Sequence, residues 1–268
     1  TADIAYDVDA ERAARPAAGV RIVRRPGLTV FYLGFDLASR TDNPFRDLRV
    51  RQALHLALDR EELVRQVYKG MAAVASQPVA PPVFGFNTRL PAPRPDLSAA
   101  ARLLAEAGYA RGFRTRLVIS TARLELARLI AKQWRRVGVE LGIDGVPSAD
   151  VDIVAARGVP LYLLGWDCST GEASEAYEFL LHTPDARYGR GNYGGYSNTV
   201  LDSIAEVNSA ILDPLKRRRL LEEAASLVMH DLPILPLFVS EDIYGVREGI
   251  RFRPRTDNLV RLAAVSFE

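Results

Sequence analysis

Few reactive side chains in this sequence are spaced for covalent chemistry. A thiol nucleophile needs a base beside it, yet the single cysteine, Cys168, has no histidine near it in sequence. A small buried apolar role is its simpler reading. The three histidines, His55, His182 and His230, lie on separated segments, without the short spacing that brings two imidazoles onto one zinc ion. No G-x-S-x-G elbow is present. Gly189-Arg-Gly-Asn-Tyr-Gly194 has the letters of a dinucleotide fingerprint. A polar, proline-containing stretch precedes it, where the fingerprint needs a strand. The acidic pairs Asp150/Asp152 and Glu222/Glu223 and the basic run Lys216–Arg219 read as solvated helix faces. No catalytic residue, metal or cofactor is therefore expected.

Binding chemistry is easier to find. The apolar run Leu161–Trp166 reads as a buried strand ending in an aromatic, and it opens into the polar loop Asp167-Cys-Ser-Thr-Gly-Glu172. In open α/β sheets, ligands sit beyond the carboxyl ends of the strands. An aromatic wall with a few carboxylates and hydroxyls is the usual make-up of a small-molecule pocket. Trp166 is expected as a stacking wall, with Asp167, Ser169 and Glu172 as polar anchors.

The surrounding elements must position that loop. Val20–Arg24 and Leu28–Phe35 read as two strands broken at Pro26-Gly27. Asp47 and Asp59 read as N-caps of two helices, the second ended by Gly70. The proline-rich stretch 78–95 reads as irregular, with Phe84 and Phe86 turned inward. A helix at Ser98–Ala107 stops at Gly108. Then come a strand at Arg114–Ser120, a helix at Arg123–Val137, a strand at Val139–Ile143, a short helix at Asp150–Arg157 and a strand at Val159–Gly165. This alternation predicts an α/β lobe with a partly parallel sheet. After a helical interruption at Glu175–His182 and a Gly- and Tyr-rich loop come helices at Asn198–Ile211 and Pro214–His230. Strands at Ile234–Val239 and Tyr244–Val246 and a last one near Leu259–Ala264 complete the chain.

Composition agrees with a soluble globular protein. Hydrophobic residues make up 48% and charged residues 25% of the 268 residues, ordinary values. Thirty-five basic against 33 acidic residues give +2, too even a balance for a dedicated nucleic-acid binder. No apolar run approaches the ~20 residues of a membrane-spanning helix. The opening at Thr1 reads as a start in mid-fold.

The order of several segments resembles the C-terminal half of the family 5 extracytoplasmic solute-binding proteins, the peptide- and nickel-type receptors of bacterial ABC importers. The residues that carry the likeness are Tyr32-Leu-Gly-Phe35, Asn43-Pro-Phe-Arg-Asp-Leu-Arg-Val-Arg-Gln-Ala-Leu54, Ala57-Leu-Asp-Arg-Glu-Glu-Leu63, Tyr68-Lys-Gly70 and Ala101-Arg-Leu-Leu-Ala-Glu-Ala-Gly-Tyr109. Gln133-Trp134 with Val137-Gly138-Val139, Gly165-Trp166, Asn192-Tyr193 with Gly195-Tyr-Ser-Asn198, and Asp231-Leu-Pro-Ile-Leu-Pro-Leu237 continue it. The resemblance implies an α/β, periplasmic-binding-protein type II-like C-terminal lobe, with strands returning to a missing N-terminal lobe. It divides the chain into residues 1–38, belonging to or crossing from the first lobe, 39–232, the ligand-binding lobe, and 233–268, the return strands.

The resemblance also implies binding rather than catalysis. A peptide-like or other small solute is enclosed by hinge closure of two lobes and delivered to the importer's permease subunits. A monomer, periplasmic or extracytoplasmic, is expected, with room for a membrane anchor through the missing N-terminus. In peptide-binding members an Asp after the Gly-Trp strand pairs with the peptide's amino terminus; that position here is Ser169. An arginine that some peptide binders carry before the Trp is here Leu163. These departures are compatible with a neutral or differently charged ligand, with Asp167 or Glu172 taking over the charge. Tyr193 and Tyr196 are expected at the pocket rim, Tyr196 alternatively as a pin for its loop, and Phe238 on the hinge side. Two other classes stay open: an enzyme using Cys168 or the acidic loop 167–172, and a sensor domain borrowing the fold.

Overall fold

The strand and helix signals between residues 114 and 167 close into a parallel unit. In the computed structural model, which describes residues 2–38, 43–255 and 259–267, β1 (Ile4–Ala5), α1 (Ala10–Ala14) and β2 (Val20–Phe35) come first. Then follow α2 (Leu48–Leu56), α3 (Arg60–Val67), β3 (Ala72–Val74) and α4 (Leu97–Glu106). The parallel unit is β4 (Arg114–Ser120), α5 (Leu124–Arg135), β5 (Glu140–Val146), α6 (Val151–Ala155) and β6 (Leu161–Asp167). The remainder is α7 (Ser174–Ala176), a π-helical turn at Tyr177–Leu181, α8 (Thr199–Asn208), α9 (Pro214–Asp231), β7 (Ile234–Arg247), β8 (Ile250–Arg251) and β9 (Ser266–Phe267).

The main sheet has the order β1-β7-β2-β6-β4-β5, with β3 on β7. β4 runs parallel to β5 and β6, and the other pairs are antiparallel. The sheet is therefore partly parallel, as the alternation predicts. Its two faces each carry a core. One packs Tyr162, Tyr177, Leu201 and Leu221 under α6, α8 and α9; the other packs Leu54, Leu63, Leu104 and Trp134 under α2 to α5. Asp47 and Asp59 cap α2 and α3 as expected, accepting from the N–H groups of Arg49 and Glu62; such caps contribute about 1 kcal/mol each.

The strands at the two ends are longer than the sequence suggests. Pro26-Gly27 does not break β2. It sits at a bulge, where the β2–β7 register jumps between Pro26/Glu241 and Val30/Val239. β6 covers β2 only from Thr29 to Phe35, so Pro26 lies where the strand has a single neighbour and its missing N–H is tolerated. Ile234–Val239 and Tyr244–Val246 are one strand, β7, for the same reason: β2 pairs with it from Val20 to Gly34. Beyond the bulge, β2, β7 and β1 form a ribbon past the parallel strands, with small clusters of its own around Tyr244 and Phe252 and around Ile243 and Met71. The expected last strand near Leu259–Ala264 is instead a 3-10 turn at Leu262–Ala264 before β9. The boundary expected after residue 38 adjoins residues 39–42, outside the described residues.

Candidate functional site

β6 ends at the protein surface. It extends two residues beyond the expected strand end, so Trp166 and Asp167 are its last rungs, opposite Val30 and Thr29 of β2. β6 stays paired with β2 along its whole length, but its ladder with β4 covers only Leu161 and Tyr162. β4 stops at Ser120 and turns into the 3-10 turn Thr121–Arg123. Ser120 is level with Leu164 in that register, so from Gly165 to Asp167 the β4-facing edge of β6 has no strand beside it among the described residues. Unpaired backbone donors and acceptors at such an edge are a template for an extended ligand. Gly165, at the start of this stretch, is exposed. A Cβ there would stand 2.9 Å from Phe31 Cε1 and 3.1 Å from Thr29 Cγ2, so the absent side chain keeps the backbone approachable over Phe31.

The turn after β6 is prearranged. Glu175 accepts from the Ser169 hydroxyl at 3.0 Å, from Thr170 N–H at 2.9 Å and from the Thr170 hydroxyl at 2.8 Å. Asp167 is exposed, and partial burial together with the Glu175 charge raises its carboxyl above the ordinary value. Trp166 is half-buried and stacks on Phe179, ring centroids 4.8 Å apart at 20°. Its Nε1–H is buried without an acceptor.

The other expected residues have internal partners. Glu172 accepts from Arg217 Nε at 2.9 Å, Asn208 Nδ2 at 2.9 Å and the Ser174 hydroxyl at 3.1 Å. Tyr193 is half-buried, edge-on to Tyr162, and its phenol donates to Asp152 at 3.3 Å. Tyr196 is buried, with its phenol donating to Asp231 Oδ2 at 2.6 Å and its N–H to Asn192 Oδ1 at 3.0 Å. It ties the Gly-rich loop to the end of α9. Phe238 is fully buried, stacked on Phe31 at 5.0 Å and 4.3 Å from the Tyr68 ring. The structure thus brings Trp166, Asp167 and Ser169 together at the strand end. Phe238 reaches that region only through Phe31.

The model for bacterial extracellular solute-binding proteins, family 5 Middle, matches residues 1–188. The chain belongs to the family 5 bacterial extracellular solute-binding proteins. The glutathione-binding protein GsiB of Salmonella typhimurium is 30% identical over 251 residues, which cover 90% of this chain and 48% of that protein. Heme-binding protein A of Haemophilus influenzae is 26% identical over 226 residues, 81% of this chain and 40% of that protein. The chain spans about half the length of the curated relatives it matches. Among solved structures, the DppA periplasmic binding protein of Helicobacter pylori, in complex with peptide STSA, superposes with a TM-score of 0.87 at 18% identity, covering 99% of this chain and 52% of that one. HbpA2 of Haemophilus parasuis gives 0.84 at 24%, covering 98% and 53%. These likenesses carry the fold, an α/β periplasmic-binding-protein type II architecture.

In this family 5 protein Cys168 is no nucleophile in waiting. It is fully buried, its thiol donates to the Glu172 carbonyl at 2.9 Å, and burial pushes it up to about 12, the opposite of an activated thiol. Three participants escape a reading of the sequence. Glu175 organises the turn from five residues beyond Thr170. Phe179 backs Trp166 from the π-helical turn. Arg123, read only as a helix start, lies over the Phe31 ring at 4.4 Å from its centroid.

Proposed function

We propose that this chain is the ligand-gripping lobe of an extracytoplasmic receptor that hands a small, peptide-like solute to the permease of an ABC importer. The observation that carries the reading is the open edge of β6, Gly165–Asp167, ending in a surface turn. An extended solute adds to that edge by main-chain hydrogen bonds, with Trp166, Asp167 and Ser169 around it and Tyr193 at the rim. Glu172, Tyr196 and Phe238 hold the frame. Relatives named for glutathione and structures holding peptides fit this class of solute.

The ribbon of β2 and β7 beyond the bulge is the crossing to a second lobe, and the change of lobe falls at residues 26–30 opposite 239–241. Binding without bond-making, by a monomer, suffices for this role. Calorimetry on the full-length gene product tests it, with glutathione and dialanine as probes. Gly165→Val and Asp167→Ala should each weaken binding about tenfold or more while circular dichroism stays native. Unchanged affinity in both folded variants would refute the site.

A further inference from the structure

The turn between α8 and α9 carries the most exposed large apolar side chain among the described residues. Leu212 is 93% exposed, and Leu215, in the first turn of α9, is 66% exposed. Val207, near the end of α8, is exposed as well. Single exposed leucines are ordinary, but apolar groups gathered at one place on a surface mark an interaction site.

A second observation falls on the same turn. Lys216-Arg-Arg-Arg219 occupies the start of α9, whose first turn has no acidic residue. Cations at a helix N-terminus oppose its dipole, so folding alone disfavours this run. Arg217 is turned inward, onto Glu172. Lys216, Arg218 and Arg219 are exposed. Among the described residues, none of the three has a carboxylate within ion-pair distance; the Arg218 guanidinium lies 5.2 Å from the centre of the Phe84 ring. Asp213, Glu206 and Glu222 have other partners. Asp213 accepts from the N–H groups of Leu215 and Lys216, Glu206 lies 3.2 Å from His182 Nε2, and Glu222 holds Arg89.

Together the two observations point to one kind of occupant. Leu215 shares a side of α9 with Arg218 and Arg219, three and four residues on, and Leu212 stands ahead of them in the connecting turn. Leucines lead and cations follow. A membrane interface has the matching order of depth, with phosphates above hydrocarbon.

We propose that the α8–α9 turn docks on an anionic bilayer, with Leu212 and Leu215 entering the headgroup layer and Lys216, Arg218 and Arg219 meeting lipid phosphates. Arg217 joins this turn to the loop after β6, so the contact lies at the end of the lobe where β6 opens. It does not depend on which solute is carried. Loss of the contact leaves solute calorimetry unchanged, and absence of a solute site leaves vesicle binding unchanged.

The test is vesicle co-sedimentation of the full-length gene product, expressed without lipidation. One set of vesicles is phosphatidylcholine alone, and the other holds phosphatidylglycerol in equal part. The account expects binding to the anionic set to be about tenfold or more tighter, an advantage that high salt removes. Lys216→Glu with Arg219→Glu should abolish that advantage. Leu212→Ser with Leu215→Ser should weaken binding to the anionic set about tenfold or more. All four side chains are exposed, so both variants should keep a native circular dichroism spectrum.

Arg128→Glu with Arg135→Glu makes the same change of charge on the exposed face of α5 and should bind as wild type does. Wild type that ignores both vesicle sets overturns the proposal. So do turn variants that keep full affinity, or an α5 variant that loses as much as they do. Capture that appears only when permease subunits are reconstituted in the vesicles would assign the turn to a protein partner and overturn the lipid contact.

Discussion

The guanidinium of Arg217 donates through Nε to Glu172 Oε1 at 2.9 Å, tying the first turn of α9 to the loop that follows β6. The Glu172 side chain is 17% exposed and that of Arg217 33%, so the pair is sheltered enough to matter, unlike most surface ion pairs. Removing one partner leaves a carboxylate in a site shaped for an ion pair. Arg217→Ala is expected to lower stability by about 1–2 kcal/mol in urea unfolding. It should also speed hydrogen exchange in residues 168–175. A variant that matches wild type in both would mean that Glu172 is held by Asn208 and Ser174 alone.

Trp166 and Phe179 give an optical handle on the same region. The other tryptophan, Trp134, is fully buried and donates to the Leu54 carbonyl, so it serves as a constant background. Phe179→Ala should uncover the Trp166 ring, red-shift its emission and raise acrylamide quenching. In the full-length gene product, solute should change the emission of wild type and not of Trp166→Phe. Bound solute with an unchanged wild-type spectrum would place Trp166 outside the contact.

Asp242 makes a pH prediction. It sits across from Arg25 in the ribbon, with Oδ2 buried and unpaired. Burial raises its carboxyl from 3.8 to about 6; Arg25 pulls the other way, and Asp167 and Asp7 add to the rise. The folded value lies above the unfolded value of about 4, so the folded state holds the proton more tightly. The associated stability is present below pH ~4 and is lost as pH rises through about 6. Asp242→Asn is expected to be more stable than wild type above pH 6, on the order of 1 kcal/mol after solvent screening. The gain should vanish near pH 4. A constant difference across that range, in melts at several pH values, would contradict the assignment.

How much of this was legible in the sequence depends on range. β4 and the caps at Asp47 and Asp59 follow from neighbouring residues, and the structure has them where the pattern puts them. Pro26-Gly27 and the polar Ser240-Glu241-Asp242 look like breaks, because a strand's tolerance of such residues depends on which neighbours it has. The Gly-Trp strand and its polar turn could be read from the apolar run ending in mixed polar residues. The partners that occupy Glu172, Tyr196 and Phe238 could not, since Arg217, Asp231 and Phe31 are distant in sequence and meet them only through the fold. Arg123 gave no signal beyond a helix start for the same reason.

The central claim is that solute lies along the unpaired edge of β6. Hydrogen exchange by mass spectrometry on the full-length gene product, with and without saturating solute, reads that edge directly. The account predicts slower exchange of the backbone amides within residues 163–170 in the bound state. Saturating binding that leaves these amides unchanged while protecting others would contradict it.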